Sequence, residues 1–178
     1  MVFIVKNSLK IAVCAVFTAM SVVLLFIGGA AFVLVYLMPM ITSLLMIILR
    51  KTFGVSAAMI TYTATSILSF ILVPDRECML MYVLFFGYYP VIYPSLEKIK
   101  ALKWAAKFLI FNSMVALIQL ALIYVFGIPF LEEGEGIFII VIFAALMNIL
   151  FVIYDFVIKN TFLLYEKKLE KRIKKYFK

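Results

Sequence analysis

Histidine is absent from this chain. Its absence removes the commonest general base, proton shuttle and transition-metal ligand. It also leaves no Ser-His-Asp or Cys-His pair. Cysteine occurs only at Cys14 and Cys78, without a CxxC, so no redox or zinc motif is present. No GxxxxGK(S/T) run cradles nucleotide phosphates. Charge is scarce too, at 15% of residues against about a quarter in a soluble domain. The chain is therefore read as no enzyme, with no cofactor and no metal.

What remains is apolar. Hydrophobic residues make up 67% of the chain, and mean hydropathy is +1.20. A soluble fold of 178 residues has too little interior for this much apolar surface, so lipid is the expected solvent. A membrane helix needs about 20 apolar residues. The stretch from Lys10 to Arg50 contains no charge between its ends and is long enough for two. It is predicted as spans at roughly 9–27 and 31–49, with a tight turn at Gly28-Gly29. Further uncharged runs lie between Lys51 and Asp75, Glu77 and Glu97, Lys107 and Glu132, and from Gly136 to Tyr154. The fold class expected is all-α: an integral membrane bundle of six transmembrane helices with both termini cytoplasmic. Residues 1–158 form the transmembrane domain and residues 159–178 a basic amphipathic cytoplasmic tail.

The basic residues agree with that arrangement. Lysine and arginine collect in cytoplasmic loops. Six spans put 16 of the 17 basic residues inside and leave only Arg76 outside, together with Asp75, Glu77, Glu132, Glu133 and Glu135. The net charge of +8 then has a topological meaning, and nucleic acid is not expected as a partner. The first span is long enough to cross and lacks a small-residue cleavage site, so it is expected to be retained. The tail, with Phe162, Leu169, Ile173 and Tyr176 between lysines, suits either anionic lipid or a cytoplasmic partner. Ser95–Lys107 reads as an interfacial connector with Ser95 capping a short helix and Trp104 as anchor. Pro39 is expected to kink the second span.

Few polar residues lie deep. Asp155 is expected to pair with Lys159 one turn on. Asn112, Gln119 and Asn148 either cross-link helices or face a cavity. In the third span Ala57, Thr61, Thr65 and Ser69 recur every four residues, a pattern for close packing. Ala15 and Ala19 repeat it in the first span. The run from Pro74 to Pro94 starts with the polar tetrad Pro74, Asp75, Arg76 and Glu77, then becomes crowded with aromatics. Asp75 is placed to cap the following helix. A ligand pocket is expected in the outer half of the bundle, with Tyr82, Tyr124, Gln119 and Asn148 as walls and Asp75, Arg76 and Glu77 at its mouth. Such aromatic walls with a few polar groups suit a small, flat, partly polar organic ligand.

Six spans, 178 residues, internal termini and the Ala15/Ala19 pair resemble the substrate-binding S-components of energy-coupling factor (ECF) transporters. The resemblance implies that Ala15 and Ala19 contact a transmembrane T-component, which is in turn driven by ATPase subunits. It also implies a vitamin, vitamin precursor or metal ion bound under the outer loops, here Gly28-Gly29, Pro74–Cys78 and Ile128–Gly136. The missing histidine argues against the metal branch. The small rod-shape-determining membrane subunits of cell-wall elongation complexes are similar in architecture, so a structural or assembly role in the bacterial cell membrane is the alternative.

Overall fold

A computed structural model describes residues 2–31, 34–99, 103–129 and 137–169, and every regular element among them is helical. Helix α1 spans Val2–Ala30. It runs through both Gly28 and Gly29, so the expected turn at these residues is replaced by helix. The glycines serve close approach instead. A Cβ on Gly28 would lie 2.6 Å from Met38 Cβ, and one on Gly29 would lie 2.9 Å from Val73 Cγ1.

Helix α2 spans Leu37–Phe53 and starts six residues later than predicted. Pro39 therefore falls in its first turn, where a missing N–H leaves no intrahelical bond unmade. The expected mid-span kink becomes a helix start. Helix α3 spans Val55–Leu72, joined to α2 by Gly54 alone. Gly54 has φ +90°, a region open to glycine, and its N–H still bonds Arg50 O at 3.0 Å. Ala57, Thr61, Thr65 and Ser69 are all buried, so this small-residue face packs internally. It brings α3 against α1 and α2.

The run from Pro74 onward is the most buried of the long segments. It consists of α4, Arg76–Met81, then a π-helical turn at Tyr82–Phe86, then α5, Tyr89–Leu96. The turn widens because Gly87 N–H donates to Tyr82 O, five residues back, at 2.8 Å. Pro90 supplies no N–H, so the Phe86 carbonyl has no ordinary partner four residues on. Tyr62 of α3 donates its hydroxyl to Val83 O at 2.7 Å and ties the widened turn to its neighbour. Phe85 sits at the centre of an aromatic core, with ring centroids 4.7 Å from Tyr89, 5.1 Å from Phe111 and 5.9 Å from Phe151. α5 runs past Pro94 to Leu96, so Ser95 lies at a helix end and not at a helix start.

Helix α6 spans Lys103–Tyr124 and α7 spans Ile137–Leu164, followed by a second π-helical turn at Tyr165–Leu169. α7 crosses residue 158 without a break. Its end docks on α2: Lys51 pairs with Glu166, and the Thr52 and Tyr165 hydroxyls are 2.7 Å apart. The rest of the tail (170–178), connector residues 100–102 and loop residues 130–136 lie outside the described residues.

Among the described residues, five segments are long and apolar enough to cross a membrane: Ser8–Ala30, Val55–Leu72, Arg76–Leu96, Lys103–Tyr124 and Ile137–Lys167. α2 has 17 residues, so it is about 26 Å long, short of a bilayer core of about 30 Å. Ile71, Leu109 and Phe138 are each at least 70% exposed. Such outward apolar side chains on long helices are compatible with a membrane protein.

Candidate functional site

At one end of the bundle, the polar tetrad starts α4. Asp75 is extended, and its Oδ1 accepts the Cys78 N–H at 2.7 Å, making it the expected N-cap. Glu77, in the first turn, is half-buried. Its Oε1 accepts a hydrogen bond from the Tyr36 hydroxyl at 2.8 Å and a longer one from Gln119 Nε2 at 3.5 Å. Burial, and then the Glu77 carboxylate, push the Tyr36 hydroxyl above its ordinary pKa, so it remains a donor. Arg76 turns away from both acids. It donates to Phe70 O at 3.0 Å and lies over the Phe126 ring. Glu77 forms no ion pair among the described residues.

The seven predicted site residues are not brought together. Asp75 and Arg76 flank Glu77, and Gln119 joins it from α6. Tyr82 is fully buried on the α3 side, its ring 6.1 Å from that of Tyr62, and its hydroxyl has no hydrogen-bond partner among the described residues. Tyr124 is 82% exposed at the end of α6. Asn148 pairs reciprocally with Asn112, at 3.0 and 3.1 Å, and each amide also donates to the carbonyl four residues earlier. That closed pair satisfies both amides and cross-links α6 to α7, the packing role open to them in the sequence. Gln119 also lines a groove of about 450 Å³ between α6 and α7. Tyr36 was missed by sequence reasoning because it stands 41 residues from Glu77 and outside any motif.

The chain matches no protein-family model, no curated protein and no solved structure.

A second polar cluster ties α5, α6 and α7. Lys107 is 1% exposed, and its Nζ donates to Glu97 Oε1 at 2.5 Å and Asp155 Oδ2 at 2.9 Å. Asp155 also accepts the Tyr89 hydroxyl at 2.7 Å. The ammonium lies 4.2 Å from the Tyr93 ring centroid and 5.3 Å from that of Trp104. The expected Asp155–Lys159 pair is therefore corrected: burial turns Asp155 into the bundle, where Lys107 is the cation within reach. Two carboxylates and two aromatic rings around one ammonium make this a structural keystone. Among the described residues, no group of three His, Cys, Asp or Glu is placed to hold a metal ion.

Glu97 lies outside the spanning segments, and the Lys107 hydrogen bond holds its carboxyl below the ordinary value of 4.5. Its contribution to stability is therefore present above that value and is lost as pH falls through the lowered folded pKa. Trp104, beside Lys107 and the only tryptophan, reports this change. Its emission is expected to shift on acidification with a midpoint under 4.5, and Glu97→Gln is expected to abolish that transition. A midpoint at or above 4.5 contradicts the assignment.

On α1, Cys14 and Thr18 are buried while the adjacent Ala15 and Ala19 are exposed. Ala15 lines a groove of about 450 Å³ with Lys10, Ile11, Ile60 and Ala64, running between α1 and α3.

Proposed function

We propose that this chain is the substrate-binding S-component of an ECF-type importer, capturing a small organic micronutrient from the outer face of the bacterial plasma membrane. The observation that carries this reading is the exposure of Ala15 and Ala19 on a long apolar helix. Small residues facing outward let a second helix approach closely, whereas those of α3 are used inside the bundle. A T-component helix is the partner this face fits, with ATPase subunits behind it.

The topology adopted is six crossings with both termini cytoplasmic, α2 being the short crossing. The segregation of 16 of 17 basic residues supports it. It puts the Lys107 cluster and the basic tail at the inner surface, the tail against anionic lipid, and the Glu77 cluster at the outer surface. There Glu77, Gln119 and Tyr36 supply the few directional polar groups a ligand site requires. Tyr82, Tyr124 and Asn148 are not assigned to ligand contact.

The test is co-expression with a T-component and its ATPases. Ala15→Leu/Ala19→Leu is expected to lose co-purification of the complex while the isolated protein keeps its wild-type unfolding midpoint. Retention of the complex, or unfolding of the isolated double variant, contradicts the reading. A structural or assembly subunit of the rod-shape-determining type is the second reading. It is favoured by the close-packed aromatic core around Phe85. A stoichiometric small molecule in the purified protein supports the first reading against it.

A further inference from the structure

The groove between α6 and α7 has a shape and chemistry that narrow the ligand class. It holds about 450 Å³, within the range of roughly 300–1,000 Å³ usual for small-molecule sites. Its walls are apolar, including Val115, Leu120, Ile123, Phe143 and Met147, and Gln119 is a polar member of the lining. Leu120 and Ile123 are themselves exposed at the rim, so the groove opens sideways along the helices. The Asn112–Asn148 pair bridges the two helices toward the Lys103 end of α6 and has no amide proton left to offer.

Among the described residues, charge is found on one side only. Gln119 Nε2 stands 3.5 Å from Glu77 Oε1, so a ligand head that passes or displaces the Gln119 amide meets the Glu77 carboxylate. Among the described residues that carboxylate receives neutral donors only, Tyr36 and Gln119. The neighbouring acid, Asp75, is occupied in capping, and the adjacent cation, Arg76, is engaged with Phe70 O and Phe126. A positively charged donor is the complement this arrangement lacks.

We propose that the α6–α7 groove is a lateral site for a membrane-permeant organic amine. The apolar body lies between Leu120 and Phe143, and the ammonium head displaces Gln119 to pair with Glu77. This proposal rests on the ligand-binding reading above and adds the ligand's charge and its route, which is through the bilayer. The volume suits a single ring system or one short chain, not the paired acyl chains of a phospholipid.

The test uses 4-phenylbutylamine, 4-phenylbutanol and 4-phenylbutyrate as probes on the full chain in lipid nanodiscs, with empty nanodiscs subtracted. The amine is expected to bind saturably and at least about tenfold more tightly than the alcohol, and the acid not at all. Glu77→Gln keeps an acceptor for Tyr36 and is expected to remove the preference for amine over alcohol. Ala116→Trp, at an exposed position on the groove wall, is expected to abolish binding of both. Equal binding of amine and alcohol, or binding that survives Ala116→Trp, overturns the proposal. So does uptake no greater than in empty nanodiscs. If another ligand co-purifies and the Ala15/Ala19 result holds, the importer reading survives without this site. If amines bind as described but no T-component is retained, the site survives without the importer.

Discussion

Lys107→Met is expected to be the most damaging single substitution in this protein. It removes one ammonium and leaves Asp155, 4% exposed, with only a tyrosine hydroxyl among the described residues. Breaking a buried ion pair from one side costs about 3–5 kcal/mol, because the remaining charge keeps its desolvation penalty without compensation. Asp155→Leu is expected to cost less, since Glu97 still neutralises Lys107 at 2.5 Å. The double variant Lys107→Met/Asp155→Leu is expected to recover much of the loss, because two apolar groups of similar bulk need no counter-charge. Unfolding midpoints of the four proteins in one detergent form a thermodynamic cycle that checks this. If the double variant is as unstable as the sum of the two singles, the groups act independently and the keystone assignment fails.

Gly28→Val is expected to have the second largest effect. Its Cβ would lie 2.6 Å from Met38 Cβ and 3.2 Å from Cys78 Sγ. The first of these is fixed to the α2 backbone, so no rotamer change relieves the contact. Overpacking of this kind costs about 1–3 kcal/mol, and here it pushes the start of α2 away from the end of α1. The unfolding midpoint should fall, and the Tyr36–Glu77 hydrogen bond should loosen with it, because Tyr36 immediately precedes α2. An unchanged midpoint would show that the helix ends separate freely.

The same glycines show where sequence reasoning is limited. A Gly-Gly pair near the middle of a long apolar run signals either a turn or a close contact, and local composition is the same for both. Only the position of Met38 and Val73 decides between them. Features carried by short-range pattern were legible: the small face of α3, the Asp75 cap, and the aromatic density of the Pro74–Pro94 run. Features that depend on long-range pairing were not. Lys107 and Asp155 are 48 residues apart, and each had a plausible local reading, one as a connector charge and the other beside Lys159. Tyr124 was placed at a site by depth alone, and depth does not say which side of a helix a residue occupies. The amide pair was recognised as polar and deep, but its mutual saturation required knowledge of the α6–α7 register.

Gly54 carries a consequence for how the protein is made. A single residue joins two helices that fold back on each other, so no segment exists between them to be held in water while one helix waits for the other. α2, at 17 residues with Arg50 and Lys51 in its last turn, is a weak insertion signal by itself. α3 follows immediately and supplies the missing apolar length. Under the six-crossing topology proposed above, the two are expected to enter lipid as one hairpin, a single event in biogenesis. Under that topology, lengthening the joint at Gly54 is expected to uncouple the event and leave α2 at the membrane surface.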